Sequence, residues 1–251
     1  MLFKDKLKQK DHLLGMFLLC PVPEIMEILG YVGFDYGVID LEHGSYESMA
    51  ALNMVRAASS STISPLIRVA SNEQVQISKA LDMGAEGIII PGIFTKEDAE
   101  KAVKYSKFSP IGNRGVNPFV RANTYGAVDG ADYVEIANEK TSIVLLVEGV
   151  EGVRNFKDIA QVSGVDAITI GPYDLSQSLG LPGQINHREV LDEVDKMVEI
   201  GHQYGISLGM FFVNSQGLDE WKQKGIKMFS LSVDTKVFYD ACSKLKESFQ
   251  D

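Results

Sequence analysis

The sequence predicts a single (β/α)8 barrel, and three observations carry that prediction. Eight short apolar runs bounded by turn residues recur along 251 residues. Segments with apolar residues at helical spacing separate them. The runs are continuously apolar rather than alternating, which is the mark of strands buried on both faces, and strands separated by helices make a parallel sheet. Eight such units close into a TIM barrel, an α/β fold. The length is above the usual single-domain size, but barrels of this kind reach it as one domain. Residues 1–251 are therefore expected to form one barrel.

Taken in order, the strands are expected at Leu14–Leu19, Tyr36–Ile39, Pro65–Val69, Gly87–Ile90, Ser142–Val147, Ala167–Ile170, Ile206–Phe212 and Met228–Val233. Helical spacing falls between them at Pro23–Gly30, Ser45–Ala58, Glu73–Gly84, Lys96–Tyr105, Gly152–Gln161, Arg188–Tyr204 and Ser215–Lys224, and Lys236–Phe249 supplies a closing helix. Gly30, Gly84 and Gly225 stand where a left-handed C-terminal cap is wanted. The closing helix carries Val237, Phe238, Cys242, Leu245 and Phe249 on one apolar face, which could cover its own barrel. One interval breaks the rhythm. About fifty residues separate the fourth and fifth strands, including the aperiodic FSPIGNRGVNPFVRANTYG from Phe108 to Gly126. Long loops of this kind in compact domains are commonly functional covers.

Composition removes several classes of function. With 34 acidic against 24 basic residues and a net charge of -10, the chain lacks the basic balance that a phosphate backbone requires, so no nucleic-acid partner is expected. Mean hydropathy is zero and 45% of residues are apolar, as in a soluble enzyme with a full core. The charged start MLFKDKLKQKDH leads into only the short apolar run read as the first strand, and no run is long enough to cross a membrane, so no membrane association and a cytoplasmic location are expected. Cys20 and Cys242 are far apart, with no paired-cysteine motif, and read as reduced core thiols.

In such a barrel the site lies at the C-terminal ends of the strands. The stretch YGVIDLEHG, residues 36–44, ends its strand in Asp40, Glu42 and His43. Arg68 ends the third strand, Glu148 ends the fifth in LLVEG, and Asp174 follows the sixth in IGPYDLS. Each alone has a plain structural explanation. His43 could be a surface histidine, Arg68 a buried partner for a carboxylate, and Asp174 a helix cap. Glu148 differs, because an unpaired carboxylate on an apolar strand end is costly and calls for a metal ion or a basic partner.

Together they describe a catalytic rim. Two carboxylates with open positions suit an oxygen-ligated divalent metal ion, Mg2+, Mn2+ or Co2+, with Glu148 and Asp174 as the pair. Asp40, three residues from His43, is expected to orient that imidazole as a general base. Arg68 is expected to bind an anionic substrate and to be removable without loss of the fold. Backbone N–H groups around Gly171 and Pro172 could receive a carboxylate. None of the eight strands carries a lysine in its interior or at its C-terminal end, which disfavours imine chemistry and favours a metal acting on a carbonyl. GAEGIIIPG, residues 84–92, lacks dinucleotide-fingerprint spacing.

The ordered series GFDYGVIDLEHG, PLIRV, KALDMGAEGIIIPG, PIGNRGVN, LLVEGVEG and IGPYDLSQSLGLPGQ resembles the class II pyruvate-dependent aldolases of the HpcH/HpaI type, from about Gly15 to Asp234. That resemblance implies a metal-dependent barrel cleaving 4-hydroxy-2-oxo acids to pyruvate and an aldehyde, and the reverse, through a metal-stabilised enolate. It makes Glu148 and Asp174 the metal ligands, Arg68 the keto-acid anchor and His43 with Asp40 the proton-handling dyad. Gly171, Pro172 and Tyr173 become the segment near the pyruvate carboxylate. Asp82 becomes an aspartate reaching a neighbouring subunit's site in a homo-oligomer, a hexamer by resemblance. The sequence departs from the family's common pattern at Asn117, Gly149 and Tyr173, and Tyr173 adds bulk near the pyruvate pocket. Relatives on the same barrel condense oxaloacetate with an acyl-CoA to citrate or decarboxylate oxaloacetate, and a non-catalytic keto-acid sensor is the alternative from another class.

Overall fold

A computed structural model describes residues 1–250. In order, the chain runs α1 (Phe3–Gln9), β1 (Leu13–Leu18), α2 (Pro23–Val32), β2 (Tyr36–Asp40), α3 (Ser48–Ala57), β3 (Ser64–Arg68), α4 (Gln74–Asp82), β4 (Gly87–Ile90) and α5 (Lys96–Ser106). It continues through α6 (Gly130–Lys140), β5 (Ser142–Val147), α7 (Val150–Arg154), α8 (Phe156–Ile159), β6 (Ala167–Ile170) and α9 (Pro172–Ser178). The last elements are α10 (Arg188–Tyr204), β7 (Ser207–Phe212), α11 (Leu218–Gln223), β8 (Met228–Val233) and α12 (Asp234–Gln250). The strands close as β1-β2-β3-β4-β5-β6-β7-β8, every neighbouring pair parallel, which is the predicted barrel.

Two apolar bodies hold it together. Ile39, Ile67, Ile88, Leu145 and Ile168 face outward and pack against the helices. Inside the barrel, Tyr36, Val38, Leu66, Ile89, Val144 and Met228 stack beneath the mouth. This division is why the strands read as continuously apolar. The Tyr36 ring fits only because Gly15 lies beside it. A Cβ on Gly15 would sit 2.1 Å from the ring, whose hydroxyl reaches Ser230 Oγ at 3.0 Å.

The opposite end of the barrel is plugged by α1, a helix the sequence reading omits because seven residues, four of them charged, carry little periodicity. Phe3 and Leu7 are buried there, with Phe3 edge-on to Tyr36 at 5.6 Å. Lys6 Nζ donates to the carbonyls of Asp35 and Thr62 and to Ser64 Oγ at 2.5–2.9 Å.

The interval between β4 and β5 is longer than any hairpin because it holds α5, a 3-10 turn at Arg121–Asn123 and α6. It is not a cover for the mouth. Helix α5 carries the chain back to the plugged end, and Phe108–Gly126 packs there. Phe108 is buried, Arg114 binds Asp82 at 2.6 Å, and Arg121 donates to the Met83 carbonyl at 3.1 Å. Helix α2 continues past Gly30 to Val32, so its left-handed cap is Gly33, while Gly84 and Gly225 do have positive φ.

Helix α12 does not cover its own barrel either. Only its first turns approach β1 and β8, and Phe238, Leu245 and Phe249 are 72, 71 and 91% exposed. Cys242 is exposed and Cys20 half-buried, so neither is a core thiol. No helix among the described residues is long and apolar enough to cross a membrane.

Replacing Gly15 by Ala should force the Tyr36 ring aside and destabilise the barrel by about 1–3 kcal/mol, as overpacked cores do. A lowered urea midpoint with an unchanged slope is the expected result.

Candidate active site

The register of β2 against β3 pairs Asp40 with Arg68 at the mouth. Asp40 is 1% exposed and takes both ends of the guanidinium, Nε to Oδ1 at 2.9 Å and Nη2 to Oδ2 at 2.6 Å. The same Oδ1 receives the backbone N–H groups of Glu42 and His43 at 3.1 and 3.3 Å. Tyr46 completes this corner: its hydroxyl accepts from the Asp40 N–H at 2.9 Å and donates to the Leu18 carbonyl at 2.8 Å. The turn is so tight that a Cβ on Gly44 would lie 2.1 Å from the Asp40 carbonyl oxygen.

This arrangement corrects two expectations. The Asp40 carboxylate is committed to Arg68 and to two amides, so it orients the His43 backbone and not the imidazole, which is exposed at the rim. Arg68 also has a part in the fold. Without it a buried carboxylate would lose its cation, a change that costs about 3–5 kcal/mol. The third Arg68 nitrogen, Nη1, lies 3.0 Å from Glu42 Oε2. That oxygen is buried and has no aligned hydrogen bond, so the contact is an ion pair only.

Across the mouth, β5 delivers Glu148 and the start of α9 delivers Asp174. Gly171 lets Glu148 pack against the backbone that leads to Asp174, because a Cβ there would stand 2.8 Å from Glu148 Cβ. Gly171 N–H is spent on the Val147 carbonyl at 3.0 Å and Pro172 has none, so in this segment the unclaimed first-turn amide is that of Tyr173. Burial and the charges of Glu42 and Asp174 push the Glu148 carboxyl up to about 7, against the weaker pull of the Gly92 amide and Arg68. Glu42 is also raised, by burial first, against the pull of Arg68 and His43. The mouth thus carries more negative charge than Arg68 neutralises.

Asp40, His43, Arg68, Glu148, Gly171, Pro172, Tyr173 and Asp174 all line one cavity of about 390 Å³. Asp82 does not line it. It ends α4 at the plugged side, held by Arg114, itself buried against the Phe108 ring at 4.5 Å. Sequence reading misses Phe17, Leu19, Phe211 and Val233, which line the same cavity from β1, β7 and β8. Their only signal is that they follow apolar runs to the strand tips, where charged residues draw the eye first.

Charged groups from separate strand ends converge on a single cavity at the mouth, which is how the site of a barrel enzyme is built. The pattern of the HpcH/HpaI aldolase/citrate lyase family matches residues 13–241, and the chain belongs to that family. It is 33% identical to a 5-keto-4-deoxy-D-glucarate aldolase of Escherichia coli O139:H28 over 99% of this chain and 96% of the other. An HpcH/HpaI family protein from Burkholderia cenocepacia J2315 superposes with a TM-score of 0.94 at 30% identity, covering 99% of this chain and 98% of that one. A structure described as citrate synthase SbnG follows at 0.89 and 34%, with 99 and 98% covered. The chain is a class II aldolase, a carbon–carbon lyase of a divalent-metal-dependent family.

The Glu148 carboxyl has a pH signature. A carboxyl raised in the fold favours the folded state below its unfolded value of about 4.3, and that favour is lost as pH rises through about 7. In metal-free protein, Glu148→Gln should therefore be more stable than the parent at pH 8, with the gap closing toward pH 4. Urea midpoints across that range measure it.

Proposed function

We propose that this chain cleaves 4-hydroxy-2-oxo acids to pyruvate and an aldehyde, and joins them in reverse, as a cytoplasmic enzyme. One observation supports the reading above others: Arg68 and the carboxylates Glu148 and Asp174 line one cavity, and Glu148 is raised to about 7 by burial first and then by the negative charges of Glu42 and Asp174 beside it. That is a place prepared for a cation and for an anionic ligand together.

The donor set suits a hard divalent ion. Among the described residues no group of three or more His, Cys, Asp or Glu side chains surrounds one point. The protein would then offer only Glu148 and Asp174, leaving positions to substrate and water, which fits Mg2+, Mn2+ or Co2+. When bound, such an ion would supply Lewis-acid stabilisation to a developing enolate.

The chain's own residues do the rest. Arg68, fixed by Asp40 through Nε and Nη2, presents its remaining N–H groups to the keto acid and steadies negative charge as the C3–C4 bond breaks. The Tyr173 amide, at the start of α9, receives the substrate carboxylate in this scheme. His43, exposed at the rim, takes the proton of the C4 hydroxyl in cleavage and returns one in synthesis. Asp82 is assigned to the site of a neighbouring copy. The exposed apolar residues of α12, with Ile28, Tyr31 and Val32 on α2, support a homo-oligomer, a hexamer by resemblance.

Condensation of oxaloacetate with acetyl-CoA is the second reading, favoured by the 34% identity to a citrate synthase structure. Thiol release from acetyl-CoA, against pyruvate release from 4-hydroxy-2-oxo acids, separates the two.

EDTA should abolish pyruvate release, and Mg2+ or Mn2+ should restore it. Arg68→Lys keeps a cation beside Asp40 but loses the fork, and kcat should drop about 100-fold or more with the fold retained. Full activity in chelated protein would overturn the assignment. For assembly, Phe238→Asp on α12 should shift the mass measured by light scattering toward the monomer.

A further inference from the structure

The mouth has two unlike halves, and the proposed reaction uses only one of them. Arg68, Glu148 and Asp174 account for the keto acid and a cation. The other half is an unbroken aromatic wall. The Arg68 guanidinium lies 4.9 Å above the Phe17 ring, Phe17 meets Phe211 at 6.0 Å, and Phe211 meets Tyr173 at 6.1 Å. Leu19 and Val233 fill in beside it. The wall starts at the residue that anchors the keto acid and ends at Tyr173, which is 44% exposed at the rim. A cavity of about 390 Å³ is far larger than a three-carbon acid needs.

The wall offers nothing to a second charge. Arg68 and His43 are the only basic side chains among the lining residues, and two faces of Arg68 are already held by Asp40 and Glu42. A distal carboxylate laid along Phe17 and Phe211 would lose its water and gain no partner, and a row of hydroxyls would fare little better. An alkyl or aryl group in the same place would bury apolar surface and stack on rings.

Resting on the pyruvate-aldolase reading above, we propose that the aldehyde half of the substrate is apolar: this chain prefers 4-hydroxy-2-oxo acids whose C4 substituent is an alkyl or aryl group over those ending in a carboxylate or a polyol. Phe17, Phe211 and Tyr173 set that preference, and Arg68, Glu148 and Asp174 do not.

The test compares two 4-hydroxy-2-oxo acids of matched length, one ending in an alkyl or phenyl group and one in a carboxylate, with enzyme loaded with Mg2+ or Mn2+. The ratio of their kcat/KM values for pyruvate release should favour the apolar substrate by about 10-fold or more. Phe211→Ala and, separately, Tyr173→Ala should reduce that ratio several-fold. Parent enzyme preferring the carboxylate-ended substrate, or variants with an unchanged ratio, would overturn the proposal. Exchange of pyruvate methyl protons with D2O, which needs no aldehyde, distinguishes the two layers. Exchange accompanied by preference for the charged substrate removes this inference alone. No exchange and no cleavage of either substrate removes the pyruvate reading together with it.

Discussion

The mouth of this barrel depends on one ion pair. Asp40 has almost no contact with water, and a carboxylate in that position is tolerable only with a cation and hydrogen bonds around it. Arg68 supplies the cation with two aligned bonds, and the turn after β2 supplies two amides. Because β2 and β3 set the two residues side by side in register, the pair is a product of the fold and not of a flexible loop. The guanidinium is thereby held rigid against the Phe17 ring. A group that must steady a developing charge does so best when it has no reorganising left to do.

Charge balance across the mouth follows from that pair. Asp40 consumes most of what Arg68 offers, and Glu42 takes part of the remainder. Glu148 is then left half-buried among like charges and holds its proton to about neutral pH. On the proposed reading, a dication held by Glu148 and Asp174 would offset that crowding of the protein's own carboxylates.

The strands were legible because burial on both faces writes a continuous apolar run, and β4, β5, β6 and β8 have the expected ends while the others shift by a residue. The charged rim was legible for a related reason: Arg68, Glu148 and Asp174 each interrupt or follow such a run. What could not be read depended on distant partners. Asp40 sits three residues from His43, yet its carboxylate is bound across strands to Arg68, and spacing along a chain does not reveal which neighbour wins a carboxylate. Phe108–Gly126 reads as a cover by its composition, but its place is fixed by the return direction of α5 and by contacts of Arg114 and Arg121 with the end of α4. Helices α1 and α6 escaped because one is short and charged and the other has a weak apolar face, with Tyr133 its only buried side chain.

The plug at the other end has a kinetic meaning. With Phe3 and Leu7 seated below Tyr36 and the interior filled above them, the barrel is a blind well with a single opening. Under the proposed reaction a keto acid held by Arg68 would lie deeper in the mouth than an aldehyde beside Tyr173. Traffic through one doorway would then queue: in cleavage the aldehyde would depart first and pyruvate second, and in synthesis pyruvate would enter first.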